Sequence, residues 1–427
     1  MNKKTKYKSV PQLRFPEFLK KENWEEDTLN NIANFRRGSF PQPYGLSEWY
    51  DEINGMPFIQ VFDVGEDFCL KPKTKSKISK LAAKQSVFIP KGTVIITIQG
   101  SIGRVAITQY DAYIDRTLLL FEEFLKPINK IFFAYVLFLL FEIEKLKAPG
   151  GIIKTITKEV LSDFKISFPT NEEEQQKIAD CLSSLDDYIN AQNQKLETLK
   201  IHKKGLMQQL FPVDSETVPK LRFEEFRDDG EWEEDTLDNI ANFRRGSFPQ
   251  PYGLPEWYDE INGMPFIQVF DVGDDFRLKP KTKSKISKLA AKQSVFIPKG
   301  TVIITIQGSI GRVAITQYDA YIDRTLLLFE EFLKPINKVF FAYVLFLLFE
   351  IEKLKAPGGI IKTITKEVLS DFKIKFPVLD DEQQKIADCL SSLDDFISAQ
   401  TQKIEILKTH KRGLMQGLFP DVNIISE

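Results

Sequence analysis

The chain has 427 residues, with 58 Lys and Arg against 60 Asp and Glu, a net charge of −2 and 43% hydrophobic residues. That length accommodates roughly two to four domains with ample core, and the composition is that of a globular chain without a low-complexity tract. The near-neutral balance argues against a uniformly basic nucleic-acid binder but leaves local basic stripes open. Cys69, Cys181 and Cys389 stand far apart and form no metal-ligand cluster, which fits a reducing cytoplasm. The Lys-rich N-terminus lacks an apolar h-region, so no signal peptide is expected. The most apolar run, Ile131 to Phe141, is too short to span a bilayer and reads as a buried helix.

In chain order, Val10-Pro-Gln-Leu-Arg-Phe15 is a short lead. Trp24 to Ile32 reads as a strand or edge segment running into a turn, and Met56 to Val64 as a strand of β-branched and aromatic residues. Ser86 to Pro90 and Thr93 to Gln99 flank a Lys91-Gly92 turn. Gln99-Gly-Ser-Ile-Gly-Arg104 is a glycine-bracketed turn, after which Val105 to Thr108 and Ile114 to Phe121 are further strands. Asn129 to Lys147 is a helix apolar nearly all round, ended by Pro149-Gly-Gly151. Thr157-Lys-Glu-Val opens a short helix, and Phe164 to Phe168 leads into Pro169.

Glu172 to Phe211 changes period. Ile178, Leu182, Leu185, Ile189, Gln192, Leu196, Leu199, Lys203, Leu206 and Leu210 alternate steps of four and three, a heptad seam. About forty residues at about 1.5 Å each make a rod of roughly 60 Å, which needs a partner to bury its seam. Asp380 to Phe419 supplies one, with Ile386, Leu390, Leu393, Ile397, Gln400, Ile404, Leu407, Lys411, Leu414 and Leu418. Gln192 and Gln400 could meet near the crossing of antiparallel rods and fix their register, or could face solvent.

The second rod belongs to a second copy of the whole unit. Trp24 recurs as Trp232, and 232 − 24 = 208. From Trp24 to Phe168 the copies differ only at Asn30/Asp238, Ser47/Pro255, Glu66/Asp274, Cys69/Arg277, Ile131/Val339 and Ser167/Lys375. A period this long means duplicated domains and not a solenoid. The expected division is a lead (1–22), a globular domain (23–170), a helix (171–213), a linker (214–230), a second domain (231–378), a second helix (379–420) and a tail (421–427).

No catalytic constellation stands out. His202 and His410 occupy equivalent places on the rods, and no Gly-x-x-x-x-Gly-Lys-[Ser/Thr] loop is present. Gly100-Ser-Ile-Gly103 lies between strands and is not a dinucleotide fingerprint. Either it brings backbone close to something flat or anionic, or it only turns the chain. Lys71, Lys73, Lys75, Lys77, Lys80, Lys84 and Lys91 form a stretch without an acid, repeated as Lys279, Lys281, Lys283, Lys285, Lys288, Lys292 and Lys299. Such a stripe suits phosphate binding, and a solvated lysine face would look the same. Arg36, Arg37, Ser39, Tyr44, Gln60, Gln99, Ser101, Arg104, Arg116, Lys154 and Thr155 fall near predicted loops. Arginine matches guanine and glutamine matches adenine when they reach base edges. The second copy carries Arg244, Arg245, Tyr252, Gln268, Gln307, Ser309, Arg312 and Lys362 at the corresponding places.

Ile166-Ser-Phe-Pro-Thr-Asn-Glu-Glu-Glu-Gln-Gln-Lys-Ile-Ala-Asp-Cys-Leu-Ser-Ser-Leu-Asp-Asp-Tyr-Ile189 resembles the proline, Glu-Gln, Ile-Ala, Leu-Asp pattern of type I restriction–modification specificity subunits. Phe376-Pro, Glu382-Gln383 and Ile386-Ala387 repeat it. Gly92-Thr-Val-Ile with Gly100-Ser-Ile-Gly-Arg-Val resembles a segment of their target recognition domains, and Gly150-Gly-Ile-Ile-Lys-Thr-Ile-Thr the segment before the helix. The resemblance covers nearly the whole chain. It implies an α+β architecture of two near-identical target recognition domains held apart by two long antiparallel coiled-coil helices, with pseudo-twofold symmetry. It also implies a DNA reader without catalysis of its own, partnered by two methyltransferase subunits that bring S-adenosylmethionine. Restriction subunits using ATP and Mg can join. This chain departs from the usual pattern in that its two recognition domains are nearly the same. A solitary DNA-modifying enzyme and a fused-dimer scaffold for protein assembly are the competing readings.

Overall fold

The computed structural model describes residues 10–147, 156–213, 216–355 and 366–420. It divides into two compact units, one of residues 1–194 with 403–427 and one of residues 195–402. The first contains β1 (Glu25–Thr28), α1 (Leu29–Ile32), β2 (Ala33–Arg37), β3 (Met56–Ile59), β4 (Ser76–Ile78), α2 (Lys80–Ala83), β5 (Val87–Ile89), β6 (Val94–Thr97), β7 (Val105–Ile107), β8 (Ala112–Ile114) and β9 (Leu118–Phe124). Then come α3 (Lys130–Lys147), α4 (Lys158–Ser162), β10 (Lys165–Phe168) and the start of α5 (Glu172–Leu210). The elements β11 to β20 and α6 to α10 repeat these 208 residues on, from β11 (Glu233–Thr236) to α10 (Asp380–Leu418), since 233 − 25 = 208.

Within the first unit, one four-stranded sheet runs β2-β9-β6-β7, a second runs β4-β3-β8-β5, and β1 pairs with β10. All pairings are antiparallel except β3 with β8. Strand β6 shows how the layers arise. Val94 and Ile96 join the core around α3, and Ile95 joins the core between the sheets. Period-two alternation of apolar residues on a strand buried on both faces requires this. The outer face of the second sheet is covered by Phe40, Trp49 and Ala82 against Phe58 and Ile78. The second unit has the same sheets and cores.

The helix predicted over Asn129 to Lys147 is α3, started by Asn129, whose side-chain oxygen accepts from the N–H of Ile131 and Phe132 at 2.9 and 3.0 Å. Phe132, Phe133, Leu137 and Phe141 are fully buried on it. The strand expected over Ile114 to Phe121 is two strands in two different sheets, broken at Asp115–Thr117. Strands β2 and β4 lay outside the expected set. The first carries a register shift between Asn34 and Phe35, and the second is a three-residue strand in the lysine stretch.

The heptad helix runs Glu172–Leu210, opened by Asn171, whose side-chain oxygen accepts from Glu174 N–H at 3.1 Å, with three acids in the first turn. In the first unit the beginning of α5 packs with the end of α10. Ile178, Leu182, Met415, Leu418 and Phe419 share one core. In the second unit the end of α5 packs with the beginning of α10, through Met207, Leu210, Phe211, Ile386 and Leu390. Both contacts are antiparallel. Gln400 is buried and Gln192 half-buried. The leads fasten these ends. Arg14 is bidentate to the buried Glu174 at 2.7 and 2.8 Å, and Leu13 N–H donates to the Gly417 carbonyl at 2.7 Å. Arg222 holds Glu382 in the same way at 2.8 and 2.7 Å.

Candidate nucleic-acid interface

The turn that splits the predicted strand organises one edge of each domain. In the first unit the Asp115 carboxylate is buried, and it accepts from Tyr44 O–H at 2.6 Å, Thr117 N–H at 2.9 Å and Thr117 Oγ1 at 2.5 Å. Backbone bonds gather the ends of five strands, β2, β3, β6, β8 and β9, around it. Gly38 N–H donates to Leu118, Ser39 to Ile114, Asp115 to Ile59 and Ile98 to Thr117, at 2.9–3.1 Å. Arg37, Gln60, Gln99 and Arg116 are therefore chain neighbours of one junction. Gly38 permits the approach, because a Cβ there would lie 2.4 Å from the carbonyl oxygens of Ile114 and Asp115. The Tyr44 ring stacks on buried Phe40 at 5.2 Å, with the Arg116 guanidinium 5.1 Å from its centroid. Burial, and then the bond to Asp115, push the Tyr44 hydroxyl well above its ordinary pKa, so it stays a donor.

The structure sorts the predicted residues. Arg36 and Arg244 are exposed, and each pairs with a carboxylate on the neighbouring strand, Glu122 and Glu330, at 2.6 Å. Arg104 donates to Glu66 at 2.9 Å and to the Val64 carbonyl at 3.3 Å. Arg312 pairs with Asp274 at 3.0 Å and donates to the Val272 carbonyl at 3.2 Å. Arg37 and Arg245 are exposed, Gln60 and Gln268 half-buried, Gln99 half-buried and Gln307 exposed. Ser101 and Ser309 are exposed, and their carbonyls accept from Thr97 and Thr305 Oγ1 at 2.5 Å. Tyr252 repeats the Tyr44 arrangement with Phe248 at 5.1 Å and Arg324 at 5.2 Å. Lys154, Thr155 and Lys362 lie outside the described residues. In the glycine-bracketed turn, a Cβ on Gly103 would lie 2.8 Å from the Cβ of Phe141, so this glycine serves the close approach of α3.

The lysine stretch is folded around another buried acid. Asp63 accepts from the N–H of Gln60 and Lys75 at 2.9 Å each, and its carbonyl accepts from Lys71 N–H at 2.8 Å. Burial pushes its carboxyl up. This ties the lysine stretch to the Gln60 end of β3. Lys71, Lys73 and Lys75 are exposed and Lys77 half-buried, as are Lys279, Lys281, Lys283 and Lys285 in the second unit. Among the described residues, none of these eight forms an ion pair. Phe62, which sequence reasoning placed inside a strand, is 39% exposed under the Lys75 ammonium at 4.8 Å. Phe270 and Lys283 repeat this at 4.8 Å. Arg277, the residue at the place of Cys69, donates to Asp395 on α10. Both groups are about half exposed or more, and such a pair contributes about 0–1 kcal/mol.

Among the described residues, no cluster of three or more His, Cys, Asp or Glu could hold a metal ion, and no helix is long and apolar enough to cross a membrane. The edge offers stacked rings, amide and guanidinium groups and unpaired ammonium groups, a chemistry of binding and not of bond breaking.

A family model for the type I restriction modification DNA specificity domain matches the chain twice, over residues 21–200 and 229–409. The type I restriction enzyme MjaVIII specificity subunit of Methanocaldococcus jannaschii is 23% identical over 98% of this chain and 96% of its own length. The EcoBI specificity subunit of Escherichia coli is 24% identical over 70% of this chain and 63% of its own length. The crystal structure of a type I restriction–modification S subunit from M. genitalium shares the fold, with a TM-score of 0.60 at 19% identity, covering 96% of this chain and 99% of that one. With both of its copies matched, the chain belongs to the type I restriction–modification DNA specificity family, as a recognition subunit without a catalytic role of its own.

Proposed function

We propose that residues 23–170 and 231–378 are target recognition domains, each reading one half of a split double-stranded DNA site, and that α5 and α10 set the gap between the halves. The observation that carries this reading is the repetition of one loop edge. Tyr44, Gln60, Gln99 and Arg116 recur as Tyr252, Gln268, Gln307 and Arg324, each beside an unpaired lysine stretch. Identical edges read identical words. Antiparallel rods would relate the domains by an approximate twofold axis, the symmetry duplex DNA also has, so the site is an inverted repeat. Each helix runs 39 residues, roughly 60 Å. That is less than two DNA turns of roughly 34–36 Å, which leaves several unread base pairs between the words.

The partners of this reading are two methyltransferase subunits, which carry S-adenosylmethionine, and restriction subunits, which bring ATP and Mg. The setting is the cytoplasm. Lys71, Lys73, Lys75, Lys77 and their equivalents contact phosphates, and Arg36, Arg37, Tyr44, Gln60, Gln99, Ser101 and Arg104 with their equivalents line the DNA. Lys154 and Lys362 are assigned to the same surface from sequence alone. Incubating the purified chain with S-adenosylmethionine and DNA should give no methyl transfer, and adding the methyltransferase subunit should give transfer at one split site. Methylation by the chain alone would overturn the division of labour.

A further inference from the structure

We propose that Arg116 and Arg324 are the specificity-determining arginines, each reading a guanine through the free edge of its guanidinium. This rests on the recognition role proposed above. The arginines of the edge differ in what they are already bonded to. Arg36 and Arg104 spend donors on Glu122 and Glu66, so reaching a base would first break an ion pair. Arg116 and Arg324 have no carboxylate partner among the described residues, although both are exposed. Their guanidinium carbons lie over the rings of Tyr44 and Tyr252, at 5.1 and 5.2 Å from the centroids. An aromatic ring attracts the charge of a guanidinium without using up the N–H donors of its fork as a carboxylate would. That planar fork matches the O6 and N7 acceptors of guanine in the major groove.

The stack beneath rests on buried side chains. Tyr44 rests on Phe40, which lies 4.5 Å from the fully buried Phe58, and the Trp49 indole N–H holds the Pro43 carbonyl at 3.1 Å. The buried Asp115 fixes the Tyr44 hydroxyl from one side and Thr117 from the other, with Arg116 between them in the chain. A side chain positioned before binding loses less freedom on binding, which is what discrimination between bases needs. Tyr44 and Asp115 are positioning residues in this scheme.

Because the two copies carry the feature separately, each serves as the other's control. The full chain, assembled with its methyltransferase subunit, is used to select from a randomised duplex library, and the bound fraction is sequenced. Arg116→Ala should relax one base pair in one half-site by about tenfold or more and leave the other half-site intact. Arg324→Ala should do the same to the opposite half. Arg116→Lys keeps the charge but lacks the fork, so it should relax the same base pair with the salt dependence preserved. The Lys variant carries the test if the Ala variant fails to assemble. Both words unchanged in the Ala and Lys variants would overturn the assignment. So would uniform weakening with a salt slope lowered by about 0.9, the mark of a phosphate contact. A wild-type chain that selects no word would instead overturn the recognition role itself.

Discussion

Lys203 and Lys411 lie on the heptad seams, largely buried, with Asp394 and Asp186 at 2.5 Å. Lys71, Lys73 and Lys75 lie on a loop, exposed and without an acid. Where water is removed, an ammonium must be paired or lose its charge. Burial pulls Lys203 below the ordinary lysine pKa, while Asp394 opposes the shift. Tyr343 donates to the same carboxylate at 2.6 Å, and the Lys203 ammonium sits over the Phe276 ring at 4.6 Å. Each seam lysine thus joins a helix end to a recognition domain inside one compact unit. On the loop, water solvates each ammonium and no carboxylate is needed. The same residue type fixes architecture in one place and stays solvated and unpaired in the other.

The largest loss of stability is expected at the seam. Asp186→Leu leaves Lys411 uncompensated in a nearly dry site and should cost about 3–5 kcal/mol in chemical denaturation. Adding Lys411→Met should recover most of that destabilisation. A single variant as stable as the wild type would show that the seam lysines are solvated like the loop ones.

On the loop the expected change is in binding and not in stability. Replacing Lys73, Lys75, Lys77, Lys281, Lys283 and Lys285 with Glu should leave the melting temperature nearly unchanged. It should weaken binding to every duplex and lower the salt slope by about 0.9 for each phosphate no longer neutralised. An unchanged slope in binding titrations at several salt concentrations would reduce the stripe to a solvated face.

The seams were legible in the sequence because a period of alternating fours and threes serves only one structure. Even the lysines at seam positions were visible there, although their partners were not, since Asp186 and Lys411 are far apart in the chain. The duplication was legible by inspection. The junction at Asp115–Thr117 was hidden because apolar residues continue on both sides of it, so a single strand is the simplest reading. What breaks the strand is a buried carboxylate bonded to Tyr44, a contact across seventy-one positions. Nor could sequence separate Arg36 and Arg104 from Arg116. That difference depends on the register that sets Arg36 beside Glu122 and on the loop that carries Glu66 to Arg104. Phe62 was hidden for a similar reason, being apolar within an apolar run yet turned outward beneath Lys75.

The function proposed for this chain has two near-identical domains reading one word on opposite strands. Methylome sequencing of cells that express the full chain with its methyltransferase subunit checks this symmetry. The modified sites should form a split inverted repeat, one short word, a fixed gap, then the reverse complement of that word. Two unrelated half-sites, or the same word repeated in the same direction, would contradict it.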